Sequence, residues 1–135
     1  MLKRLAIGVL SFLVLDGLWL GLVMKSFYRE HLGPLAMLAP DGSLAPIWAA
    51  AAPVYLLMAM GIAMFVVPRV RRGSLVDAAW YGAVFGWILF GVYDLTNYST
   101  LRGYPGIFAA VDMAWGGVTC SVTAVMVTRF GWSKF

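Results

Sequence analysis

The sequence predicts an all-α membrane protein, a single-domain bundle of four transmembrane helices, and three observations predict it. Apolar residues make up 62% of the 135-residue chain and charged residues only 12%, about half the charged share of a soluble domain. Mean hydropathy is +0.86. Four apolar runs are each long enough to cross the hydrocarbon core of a bilayer, which takes about 20 helical residues. Helix is the form expected of each run, because lipid offers no partner to an unpaired backbone group.

The first span is Leu5–Met24. It follows Lys3 and Arg4, as a signal peptide would, but its apolar stretch of about 20 residues exceeds a secretory h-region and no A-x-A site follows. It is therefore expected to be a retained helix. The second span is Ile47–Val67, where Pro53 removes a backbone donor and is expected to kink the helix mildly. The third span is Ala78–Asn97 and the fourth Ile107–Thr128. Cys120 lies in the fourth, and a lone cysteine without CxxC or Cys/His spacing reads as a small packing residue. Gly17 with Gly21, Gly82 with Gly86, and the Gly116–Gly117 pair offer small-residue faces for close helix approach.

The links set the orientation. Lys3, Arg4, Arg69, Arg71, Arg72, Arg129 and Lys134 fall at the termini and the second link, while Lys25, Arg29 and Arg102 fall on the other side. The positive-inside bias then places both termini in the cytoplasm. The same bias accounts for the net charge of +4 without nucleic acid. The first outer link, Lys25 to Pro46, mixes apolar Phe27, Tyr28 and Leu32 with Gly33, Pro34, Pro40 and Gly42. It reads either as a short amphipathic helix on the interface or as a partly ordered connector.

Three aspartates stand inside the spans: Asp16 in LDGLWLG, Asp94 in YDLTNYSTL and Asp112 in VDMAWGG. A carboxylate at the bilayer centre costs about 2.5–3.5 kcal/mol on insertion scales, so these groups should face the bundle interior or a wet cavity. From the helical rise, Asp16 lies about 12 Å, Asp112 about 8 Å and Asp94 about 5 Å beneath the outer face. They form one layer in the outer half. Residues three or four apart share a helix side. Asp94 thus keeps company with Trp87, Phe90, Gly91, Asn97 and Tyr98. Asp112 does so with Phe108, Trp115, Gly116, Thr119 and Thr123, and Asp16 with Phe12, Trp19 and Leu20. The pattern describes a polar pocket rimmed by aromatics.

Blander readings stand beside it. Trp48, Trp80, Tyr104 and Trp132 fit an interfacial aromatic belt. The acids would serve the fold alone if each capped a helix, bonded Asn97 or Tyr98, or paired with Arg102. His31 and Glu30 are further candidates in the outer link, with His31 a proton donor or metal ligand if the link folds over the pocket. Three carboxylates suit a hard divalent cation, but neither D-x-D nor H-x-x-E-H spacing is present and no metal site is assigned.

The L-D-x-x-W-L, Y-D-L-T-N-Y-S-T-L and D-x-x-W-G strings resemble a family of small bacterial inner-membrane proteins catalogued only as a domain of unknown function. The resemblance covers nearly the whole chain. It implies a four-helix membrane protein without an established activity, and it singles out Asp16, Trp19, Tyr93, Asp94, Thr96, Asn97, Asp112 and Trp115.

Three functions remain open. In the first, a binding or permeation protein, Asp16, Asp94 and Asp112 take a proton, a cation or a small molecule from the outer side. Trp19, Tyr93, Asn97, Tyr98, Trp115 and Thr119 line the pocket, and a pathway through so narrow a bundle would call for a homodimer. In the second, an enzyme acting on a lipid or isoprenoid, an aspartic acid held neutral by apolar surroundings serves as general acid and a second, ionised one as base. The third is a scaffold for another membrane protein. The residues name no cofactor.

Overall fold

A computed structural model describes residues 1–131 and shows an all-helical protein. Helix α1 (Leu2–Leu18) runs into a π-helical turn, Trp19–Val23, and α2 (Lys25–Leu32) follows directly. Helix α3 (Trp48–Gly61) continues through a second π turn, Ile62–Val66, and a 3₁₀ turn, Val67–Arg69. Helices α4 (Leu75–Thr100) and α5 (Gly106–Gly131) complete the chain. Four segments are long and apolar enough to cross a membrane: Leu2–Val23, Trp48–Arg69, Leu75–Thr100 and Gly106–Gly131. Each expected span is present, with ends moved by up to three residues. Trp132 and Lys134 lie outside the described residues.

Four antiparallel spans return the chain to the end where it began. Arg4 Nε donates to the Gly131 carbonyl at 3.5 Å there, and Arg69, Arg71, Arg72 and Arg129 cluster at this terminal end. Arg71 grips Asp77 with Nε–Oδ2 at 2.8 Å and Nη2–Oδ1 at 2.9 Å, while Ser74 Oγ caps α4 by accepting from Asp77 N–H at 3.2 Å. The opposite end, called here the link end, carries α2 and the 101–105 link.

Lipid is as apolar as leucine, so these helices associate by close packing rather than by escape from water. Helices α4 and α5 form the most extensive pair. Their seam is glycine-made: a Cβ on Gly82 would stand 2.6 Å from the Cys120 carbonyl oxygen, and one on Gly86 would collide with the Gly116 carbonyl. Gly17 and Gly21 behave otherwise. A Cβ on either meets nothing within 4 Å, so they pack against no helix of this chain. The expectation from their spacing fails because spacing fixes a helix face but not what lies opposite it.

Helix α1 packs on α5 and α3. Helix α3 meets α4 chiefly through its final turns, Ile62–Arg69. The terminal half is therefore filled, by Phe12, Met58, Ile62, Val66, Val127 and the buried thiol of Cys120. Toward the link end α3 and α4 diverge. The first link resolves into helix: α2 lays Phe27, Tyr28 and Leu32 against Tyr104 and Phe108. Beyond it, a tight loop pairs Leu38 with Leu44.

Candidate functional site: an acidic chamber in the link half of the bundle

Asp16 sits in the last α-helical turn of α1, and the π turn after it carries Trp19. A π turn packs an extra residue into the helical repeat, so it re-aims the side chains that follow. Trp19 stacks on Trp115 of α5, ring centroids 4.2 Å apart and planes 1° from parallel. Trp115 Nε1–H in turn donates to Asp16 Oδ1 at 2.8 Å, and Tyr55 of α3 stands beside the same carboxyl. The D-x-x-W spacing thus works across helices. The tryptophan of the α5 motif serves the acid of the α1 motif.

Asp94 and Asp112 meet between α4 and α5, their carboxyls within hydrogen-bonding reach of each other. Asp94 is fully buried and receives the Tyr104 hydroxyl at 2.7 Å. Asp112 receives the Tyr28 hydroxyl at 2.8 Å. Both tyrosines pack edge-on against Phe108, with centroids 4.8 Å and 5.6 Å from it. A Tyr–Phe–Tyr roof therefore covers the acid pair from the link end. Burial, with the neighbouring carboxylates, pushes the Tyr28 and Tyr104 hydroxyls up from the ordinary phenol range. Both remain protonated donors across physiological pH.

Asp16 and Asp112 line one chamber of about 260 Å³, with Tyr28, Tyr55, Phe90 and Trp115 in its wall. Asp112 also lines a second cavity of about 450 Å³ in the gap between α3 and α4, where Val54 and Leu57 face Leu89 and Tyr93. Val54, Met58 and Phe90 belong to both walls. The polar chamber consequently continues sideways into an apolar cleft on the lipid-facing flank.

Not every residue chosen from sequence reaches this site. Asp94 lies six residues from the end of α4, about 9 Å deep, because the helix runs to Thr100. Trp87 and Tyr98 point outward at 58% and 55% exposure, and Tyr98 lies against Gly106. Tyr93 is outward too, but its ring borders the α3–α4 cleft. Asn97 and Thr96 line an adjoining groove on α4. Thr119 is buried, its hydroxyl without a partner. Arg102 is exposed, and no described acid pairs with it. His31 turns back on its own helix, donating from Nδ1 to the Phe27 carbonyl at 3.0 Å and stacking on the Phe27 ring. Glu30 is exposed. Among the described residues no three His, Cys, Asp or Glu side chains gather in a metal-holding group.

The family described as "Predicted membrane protein (DUF2177)" matches residues 1–129, which take in the first three spans, nearly all of the fourth and every residue of the chamber. The chain belongs to that family. No curated protein and no solved structure matches it.

Sequence reasoning missed three tyrosines. Tyr104 is no belt residue: it is 8% exposed and committed to Asp94. Tyr28 was visible only as part of an apolar link. Tyr55 carried a usable signal, since a phenol seven residues inside an apolar span needs a partner for its hydroxyl.

Proposed function

We propose that the protein binds an amphiphile drawn sideways from the bilayer, taking its polar head into the acidic chamber and leaving its apolar part in the α3–α4 cleft. The observation that carries this reading is the divergence of α3 from α4, which leaves Asp112 at the junction of chamber and cleft. The Tyr28–Phe108–Tyr104 roof and the filled terminal half support lateral entry over permeation. The positive-inside bias makes the link end the outer side, so the ligand would come from the outer leaflet of a bacterial inner membrane.

A second reading is favoured by the contact between Asp94 and Asp112. Such a pair can serve as acid or base toward a bound head group. Catalysis on the amphiphile would then follow binding in the same chamber.

The test is native mass spectrometry of protein released from membranes in a mild detergent. The wild type should retain an amphiphile that Val54→Trp, which fills the shared wall, displaces. Equal retention by both proteins would sink the reading.

A further inference from the structure

We infer that the amphiphile is a single-chain amine, its ammonium held in the Asp16–Asp112 chamber and its chain lying along Leu57, Leu89 and Phe85. This rests on the lateral-binding reading above and adds the charge class and the shape of the ligand.

Three sets of contacts carry it. The first is charge: no Lys or Arg lines the chamber, the cleft or the adjoining groove. A phosphate or carboxylate head would meet aspartates with no cation to offset the repulsion. An ammonium meets two carboxyls, and its three N–H groups are donors where the chamber offers acceptors. Asp94, fully buried behind Asp112 and outside the chamber lining, adds acidic character without touching the head. The second is the wall: Tyr28, Tyr55, Phe90 and Trp115 present aromatic surface, which attracts a desolvated cation through the ring quadrupole.

The third is shape. From the level of Asp112, the cleft reaches Phe85 about 13 Å deeper along α4, an axial run flanked by Leu57 and Leu89. The chamber volume of about 260 Å³ against about 450 Å³ for the cleft puts the smaller space at the polar end. A compact head on one extended chain fits that order.

The experiment compares tetradecylamine, tetradecyl phosphate and tetradecanol, all with one chain length, titrated into the protein in phosphatidylcholine nanodiscs and followed by native mass spectrometry. The amine should bind at least about tenfold more tightly than either other probe, a step of about 1.4 kcal/mol. Asp112→Asn should remove that preference, and Leu89→Trp, outside the acid cluster, should weaken all binding. Equal retention of the phosphate or the alcohol overturns the amine assignment while leaving lateral binding intact. No retention of any probe, with Leu89→Trp indistinguishable from wild type, overturns both. Should Asp112→Asn fail to fold, the probe ranking on the wild type still decides.

Discussion

At the scale of single residues, the hydroxyl of Tyr104 shows how the buried acids are tolerated. Asp94 is fully enclosed, and Tyr104 is the donor its Oδ1 receives. Tyr104→Phe keeps the ring packed on Phe108 and deletes the donor. A buried acceptor left unsatisfied costs about 1–3 kcal/mol, so unfolding in a denaturing detergent titration should shift by that amount. Tyr93→Phe, at 62% exposure, should stay within about 0.5 kcal/mol of wild type. A Tyr104→Phe protein as stable as the parent would show that Asp94 finds its stabilisation elsewhere. The acids themselves were legible in the sequence, because a carboxylate in a span is expensive and must turn inward. Their partners were not. Tyr28 and Tyr104 come from links, and link geometry decides whether a tyrosine anchors at the interface or folds back on a carboxyl.

Among the elements, the α4–α5 seam and the bare flank of α1 make opposite use of the same residue type. Gly86 admits the backbone of Gly116 at a distance no Cβ permits, whereas Gly17 faces open space. Gly86→Leu should therefore separate the two helices and cost about 3 kcal/mol, the upper range for overpacking a tight core. Gly17→Ala should be neutral or stabilising by up to about 1 kcal/mol through helix propensity. Thermal unfolding of the two variants beside wild type checks both signs at once, and a harmless Gly86→Leu would refute the seam. The spans were legible to within three residues, since hydrophobic length alone fixes them. The two π turns were not, because nothing in an apolar run such as Ile62–Val66 announces an extra residue per turn. Nor could periodicity rank the glycines when α4 and α5 are apolar on nearly every side.

For the whole molecule, the chamber gains its meaning from which way the bundle faces. Lys3, Arg4, Arg69, Arg71, Arg72 and Arg129 gather at the terminal end, against Lys25, Arg29 and Arg102 at the link end. Short flanking segments are where such a bias dictates insertion. The terminal end is therefore expected in the cytoplasm, and the Tyr28–Phe108–Tyr104 roof then faces outward. Single cysteines read this directly, since the native Cys120 thiol is fully buried and gives little background. In intact cells, Ser26→Cys and Thr100→Cys, both exposed at the link end, should react with a membrane-impermeant maleimide. Leu2→Cys, 81% exposed at the terminal end, should react only after permeabilisation. The reverse pattern would move the acids to the inner leaflet and with them the source of any amphiphile entering between α3 and α4. Helix order in space, and hence that lateral gap, could not be read from spans that are apolar all round. It follows from glycines that draw α4 to α5, while the close approach of α4 to α3 ends near Gly61, where the Phe85 ring packs.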